Sequence, residues 1–364
     1  MALAIILILM VVGSVIFHFW SPWWFTPLAS NWGAMDSIIM MTFWVTGFVF
    51  VTINLFLAYC IIKFRHSPDR KAAYEPENTK LETWLTGLTT LGVFAMLAPG
   101  LVVYNDFVNV PKDAVIFEAV GQQWQWSFRL PGKDGALGKA DNRNVTFDNP
   151  LGVDPDDPWG QDDLIILGAY PHIEVDQPIK FNLRSKDVLH DLYVPQFRAK
   201  MDVVPGLVSY FWLTPTVIGT YEVMCAELCG IGHYNMRSKI VVDSTVDYQK
   251  WLSVQKTFAE TQGGEAPGGD PVERGAQLAQ QRGCLACHSI DGGRGIGPSW
   301  KGMFGRVETL ADGSQVTAAD EYLRESITDP GAKLVQGFPP VMSAYPFSDD
   351  DLDALLAYFM SLTE

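Results

Sequence analysis

Three stretches free of Lys, Arg, Asp and Glu bound what this chain can become: residues 1–20, 37–62 and 84–104. A helix needs about 20 apolar residues to cross the hydrocarbon core of a bilayer, and each stretch is long enough. They read as three transmembrane helices, so residues 1–107 form a membrane anchor. A cleaved signal peptide is the other reading of the first stretch. It has no basic residue ahead of its apolar run, and Phe17-His18-Phe19-Trp20 is too bulky for cleavage, so a retained helix is favoured. Trp20, Trp23, Trp24 and Trp32 flank it as an interfacial aromatic belt would.

Lys and Arg set the orientation. Lys63, Arg65, Arg70, Lys71 and Lys80 crowd the second connection, whereas residues 21–35 carry none. The positive-inside rule places the basic loop in the cytoplasm and everything after Tyr104 outside a bacterial plasma membrane. The chain carries a formal net charge of -15, which excludes nucleic acid as a natural partner and favours a basic protein outside.

Beyond the anchor the pattern shortens. Residues 114–120, 124–130, 164–167, 179–183, 188–194, 209–213, 221–224 and 238–242 are β-rich or alternate, with Gly, Pro, Asn and Asp between them. This spacing predicts a β-sandwich or small barrel over residues 108–245. Residues 131–163 break the pattern with Asp134, Asp141, Asp148, Asp154, Asp156, Asp157, Asp162 and Asp163. They read as a long surface excursion with a solvated acidic face. Calcium is the alternative, although the spacing matches no defined calcium loop.

Residues 246–270 read as a linker, glycine-rich from Thr257 onward (Gly263, Gly264, Pro267, Gly268, Gly269). Asp270-Pro271 then opens a helix, and Ser348 and Asp351 are spaced like a capping box. Residues 271–364 are therefore expected to be a mostly helical domain.

Four of the five cysteines fall in two tight pairs; the fifth, Cys60, lies in an apolar stretch. Structural disulfides are the plain reading outside the cell. The neighbours argue otherwise. Cys284-Leu285-Ala286-Cys287-His288 is the c-type haem attachment pattern: two thiols for two vinyl groups, and an adjacent imidazole for the iron. A redox dithiol would call for a βαβ context, which is absent. The sixth iron ligand must come later. Met342, in the rigid stretch Phe338-Pro339-Pro340-Val341-Met342, is favoured over Met303.

The second pair is Cys225 and Cys229, followed by His233 and Met236 and preceded by His190. Soft sulfur with imidazole suits copper, zinc or iron–sulfur. Two Cys and two His would satisfy a structural zinc ion, but zinc has no use for the thioether. Two thiolates on one loop can instead bridge two copper ions, each with one imidazole.

At this point the chain resembles subunit II of haem–copper oxidases, in the branch with a fused cytochrome c domain. Residues 187–200, 219–236 and the aromatic run Gly121-Gln122-Gln123-Trp124-Gln125-Trp126 carry the resemblance. It implies transmembrane helices, then an all-β cupredoxin-like barrel, then an all-α class I cytochrome c domain. It also implies a dinuclear copper centre held by His190, Cys225, Cys229, His233 and Met236, with the main-chain oxygen of Glu227. The Glu227 side chain would reach magnesium at the contact with subunit I. Trp124 matches the residue through which electrons come in, and Glu82 a carboxylate at the mouth of a proton path. Gly297-Pro298 resembles the loop whose carbonyl orients the proximal imidazole. The expected role is a relay from an external donor, through haem c and copper, to a separate subunit I where oxygen becomes water and protons are pumped. A copper-containing nitric-oxide reductase and a free-standing anchored carrier are the alternatives. A quinol oxidase subunit would lack the copper ligands.

Overall fold

Apolar residues with nothing to bury them dominate the first hundred positions. The computed structural model describes residues 1–21, 26–71, 74, 76–262 and 270–362. Two units separate at Asn109 and Val110. In the first, α1 (Ala2–Trp20), α2 (Gly33–Lys63) and α3 (Thr79–Val108) are each long and apolar enough to cross a membrane. The last two exceed their charge-free stretches, because helical hydrogen bonding does not stop where apolar residues do. Asn78 caps α3 through its side-chain oxygen, which accepts the Leu81 N–H at 3.1 Å, so Lys80 and Glu82 join the first turn. Within α2, Thr42 and Thr46 return their hydroxyls to carbonyls one turn back, at 2.9 and 2.7 Å. A hydroxyl satisfied in this way is tolerable in an apolar helix. Trp32 corrects the interfacial belt: it is buried, edge-on to Phe107. Trp23 and Trp24 lie outside the described residues.

The second unit begins with a β-sandwich. One sheet has the order β3-β2-β1-β5-β8, the strands being β1 (Val115–Gln122), β2 (Gln125–Leu130), β3 (Leu164–Leu167), β5 (Ile179–Ser185) and β8 (Ser209–Leu213). The other runs β4-β10-β9-β6-β7, with β4 (His172–Glu174), β6 (His190–Val194), β7 (Ala199–Val203), β9 (Gly219–Cys225) and β10 (Arg237–Asp243). Alternation does the work expected of it: Ile179, Phe181 and Leu183 of β5 point inward. Register then stacks Phe117, Phe181 and Phe211 across three strands, with neighbouring rings 4.9 Å apart. β4 and β7 were not foreseen. β4 is three residues long, and β7 carries Lys200 and Asp202 on an edge.

Residues 131–163 keep part of the acidic face expected of them, with Asp134, Asp148 and Asp156 exposed, but the segment is also anchored. They hold two short turns, at Asn142–Asn144 and Pro158–Gly160, and they bury Leu151 and Val153. Asp163 is fully buried and Asp157 nearly so. Arg129 reaches Asp163 at 2.8 Å, Glu118 at 2.9 Å and the Gly138 carbonyl at 2.9 Å; Arg184 joins Glu118 at 2.9 Å to the Leu151 carbonyl at 2.8 Å. Buried charges persist only when paired, and these pairs root the excursion in the sandwich. No acidic cluster there gathers as a calcium site would. Among the described residues the one group close enough to hold a metal is His190, Cys225 and Cys229.

The expected linker is likewise folded through residue 262. α4 (Thr245–Leu252) is followed by α5 (Phe258–Gln262), and Phe258 is buried with Val120, Leu151 and Val153. Gly263, Gly264, Pro267, Gly268 and Gly269 lie outside the described residues. The last region has α6 (Pro271–Gln281), α7 (Asp320–Thr328) and α8 (Asp349–Ser361). Asp270 and Ser348 cap α6 and α8 with their side chains. Gly275 lets α6 cross α8 closely: a Cβ there would sit 2.0 Å from the Ala354 carbonyl oxygen. The region is not wholly helical, since Val307–Thr309 (β11) and Gln315–Thr317 (β12) pair as a hairpin. Its turn contains Asp312-Gly313 with Gly313 at positive φ, a standard hairpin closure that the helical expectation overlooked.

Candidate metal centres

β6 starts on His190 and the neighbouring strand β9 ends on Cys225, both inside the sheet rather than at its edges. The β9–β10 connection then carries Glu227, Cys229, His233 and Met236 back to the same end. Cys225 N–H donates to the Met236 carbonyl at 3.2 Å, and Ala226 N–H to that of Asp191 at 3.0 Å, closing the loop over His190. The donors converge. Cys225 Sγ lies 3.7 Å from Cys229 Sγ, 3.9 Å from His190 Nδ1 and 3.2 Å from the Glu227 carbonyl oxygen. Cys229 Sγ is 3.6 Å from His233 Nδ1 and 3.8 Å from Met236 Sδ. His190, Cys225, Cys229 and Met236 are buried; Glu227 and His233 are half-buried.

Electrostatics favours one deprotonated sulfur, that of Cys225. Burial disfavours the Cys225 thiolate, but the His190 hydrogen bond and N–H groups of the loop outweigh it and lower the thiol to about 6. Burial and the neighbouring Cys225 sulfur push Cys229 up to about 12. Two thiols this close lose their protons one after the other, and a cation is what removes the second. His190 Nε2 meets Asp187 Oδ1 at 2.8 Å, while Asp187 Oδ2 accepts the Gln123 N–H at 2.7 Å. The imidazole is thus aimed by a carboxylate, the usual support of a ligating His. Asp187 and Gln123 were not singled out from the sequence. The signal for Asp187 was its place three residues before His190.

Trp124, on the β1–β2 turn, donates its indole N–H to the Cys229 carbonyl at 3.1 Å; Gln123 Nε2 donates to the same oxygen at 2.7 Å. Gly232 lies under the indole.

The second site is one turn of chain. His288 N–H donates to the Cys284 carbonyl at 3.0 Å, setting both thiols and the imidazole around a single loop. His288 Nδ1 donates to the Pro298 carbonyl at 2.8 Å, as the Gly297-Pro298 resemblance implied, and Trp300 stacks on the ring at 5.0 Å. Burial pulls the imidazole below its ordinary value, so it stays neutral with Nε2 free to ligate. The apolar cavity in front contains both Met303 and Met342; Met303 is buried, and Met342 sits at the rim. The same cavity is walled on one side by Gln123 and Trp124. Cys60 is a free thiol in α2, and Glu82 lies exposed in the first turn of α3, away from both sites in the chain.

Residues 115–245 match the family described as cytochrome c oxidase subunit II, periplasmic domain, and residues 272–363 match cytochrome c. An alternative cytochrome c oxidase subunit 2 of Bradyrhizobium diazoefficiens is 58% identical over 266 residues, covering 73% of this chain and 96% of that protein. The chain belongs to the cytochrome c oxidase subunit II family. A cytochrome c oxidase subunit 2 of Alkalihalophilus pseudofirmus is 30% identical over 326 residues, covering 86% of this chain and 83% of its own. This subunit II chain therefore joins apolar N-terminal helices, a cupredoxin-like β domain and a cytochrome c domain, and its role is electron transfer within an oxidoreductase. Both sites fit their groups. The soft donors suit copper, and the paired thiols beside an apolar cavity suit covalent haem c.

Proposed function

We propose that the chain is the electron-receiving subunit of a respiratory cytochrome c oxidase. An external donor, such as a c-type cytochrome, delivers electrons to haem c, and they leave by a dinuclear copper centre toward subunit I for reduction of oxygen coupled to proton pumping. Haem c would be held by Cys284, Cys287 and His288, with Met342 as the sixth ligand. Copper would be held by His190, Cys225, the Glu227 carbonyl, Cys229, His233 and Met236. Six donors converging from β6, the end of β9 and the β9–β10 connection exceed the needs of a single tetrahedral ion, which supports a pair. Bound there, the two metals supply one-electron exchange. The protein's part is to hold their ligands still and keep the sites dry.

One observation carries the reading: Trp124 forms part of the haem cavity wall and also hydrogen-bonds the Cys229 carbonyl. A single aromatic side chain thus spans the two sites. The Glu227 side chain is proposed to hold magnesium against subunit I, and Glu82 to open a proton path there. The basic loop at Lys63–Lys80 supports a bacterial plasma-membrane placement with both metal domains outside.

The purified complex tests this. It should contain two coppers and one haem c per copy of this chain, show near-infrared absorption of a copper pair, and consume oxygen with reduced cytochrome c. Zinc or a single copper at the site refutes the dinuclear assignment. Turnover of nitric oxide in place of oxygen, or no association with a haem–copper core subunit, refutes the oxidase assignment.

A further inference from the structure

The acidic excursion has no role in holding either metal, yet it is built rigidly. Its middle is locked by Asn149, whose side chain donates to the Val153 carbonyl at 2.7 Å and accepts the Val153 N–H at 3.0 Å. What this frame presents outward is Phe147. The Phe147 ring packs against the core of the cytochrome domain, edge-on to Phe347 at 5.1 Å. The Arg282 guanidinium lies 3.7 Å from its ring centre and also donates to the Phe147 carbonyl. Arg282 stands two residues before Cys284. Further contacts close around it: Gln280 donates to the Gly168 carbonyl, Asn235 to that of Ala286, and Gln262 to that of Asp148 at 3.1 Å.

We propose that residues 131–163 are a clasp for the chain's own cytochrome domain, with Phe147 as its positioning residue. The clasp holds the Cys284–His288 turn against Trp124, so the haem-bearing domain stays docked rather than searching on its tether. The proposal deepens the electron-transfer reading and rests on it for the kinetic part only. The chemistry of the grip is a cation and an aromatic edge on a phenyl ring, worth more as the surroundings dry out. The tether already supplies a high effective concentration, so the clasp sets orientation and residence rather than encounter.

The test uses the complete oxidase carrying Phe147→Ala. Hydrogen exchange of peptides spanning residues 145–150 and 278–283 is measured alongside the rate of electron transfer from reduced haem c to oxidised copper. Both midpoint potentials are recorded as well. Exchange at both faces should rise about tenfold, the ratio that roughly 1.4 kcal/mol of lost contact produces. Transfer should slow by a similar factor and become dependent on solvent viscosity, with both potentials unchanged. Phe147→Tyr should restore all three. Should Phe147→Ala fail to take up haem, Phe147→Leu, which keeps bulk but loses the ring face, carries the same expectations at reduced size. Wild-type exchange over residues 278–283 in the variant, or wild-type transfer without viscosity dependence, overturns the clasp. Failure of the electron-transfer reading would show instead as no haem-to-copper transfer in the unmodified oxidase, while exchange still responded to the substitution.

Discussion

Gly232→Ala should disturb the copper loop through one contact. Gly232 has φ -91 and ψ 6, a conformation open to alanine, so the backbone adds no penalty. The added Cβ would lie 2.3, 2.5 and 2.7 Å from Cδ2, Cγ and Cε3 of Trp124. Carbon atoms in contact sit about 3.5–4.0 Å apart, so the indole or the loop must move by roughly 1.2 Å or more. The indole N–H is anchored on the Cys229 carbonyl at 3.1 Å, and a shift of that size takes it out of hydrogen-bonding range. Overpacking costs about 1–3 kcal/mol and the lost hydrogen bond about 0.5–1.5 kcal/mol. The calorimetric transition of the outer domains should therefore fall by roughly 5–15 °C. Copper reduction by haem c should slow while the near-infrared band persists. Trp124→Phe removes the hydrogen bond but makes room, so the double variant should be less damaged than the two single effects added together. A Gly232→Ala protein with parental melting and parental transfer, or strict additivity in the double variant, would show that Trp124 does not rest on Gly232.

Glu118→Gln takes from buried Arg184 the carboxylate it pairs with and leaves Arg129 with Asp163 alone, and should cost about 3–5 kcal/mol, read by thermal unfolding; a loss under about 1 kcal/mol would refute the buried network. Burial pushes Asp163 up to about 7 against the pull of Arg129, from an ordinary value of 3.8. The folded state then binds more protons than the unfolded state between those values, so this group's contribution to stability falls as pH rises from 4 to 7. Asp163→Asn should flatten that slope, and an unchanged stability–pH profile counts against the raised value. Met342→Ala should abolish the weak absorption band of thioether–iron ligation, and survival of the band would move the sixth ligand to Met303.

The donors of both candidate metal centres could be picked out of the sequence because most of them are local. Cys284, Cys287 and His288 share one turn, and four of the copper-site residues lie within the β9–β10 connection. The resemblance pointed to the Pro298 carbonyl and to Trp124, but the contacts of the β1–β2 turn with the cysteine loop were not legible, because they join segments far apart in the chain. Gln123 and Trp124 reach Cys229 across more than a hundred residues, and nothing in either segment announces the other. The anchor helices were read at their apolar cores and missed at their ends, where Asn78 and the charged first turn of α3 extend the hydrogen bonding. The acidic excursion was legible only in part: of its eight aspartates Asp157 and Asp163 are buried, and Asp163 is met by Arg129, which β2 carries inward. β7 was hidden because an edge strand tolerates charge.

Asp187 makes the copper site and the tryptophan parts of one device. One carboxylate oxygen aims His190 and the other holds the backbone N–H of Gln123, the residue before Trp124. Gln123 and Trp124 then share the Cys229 carbonyl. A displacement of the β1–β2 turn therefore cannot occur without loosening an imidazole and a cysteine loop together. That turn also walls the haem cavity, so the position of the cytochrome domain and the geometry of the copper ligands are mechanically linked. This linkage accounts for the rigid construction of the surrounding parts. On the proposed relay, transfer depends on the separation of the two centres and on unchanged ligand geometry, and the Asp187 carboxylate, the shared Cys229 carbonyl and the close approach of Gly232 to the indole all restrict the β1–β2 turn.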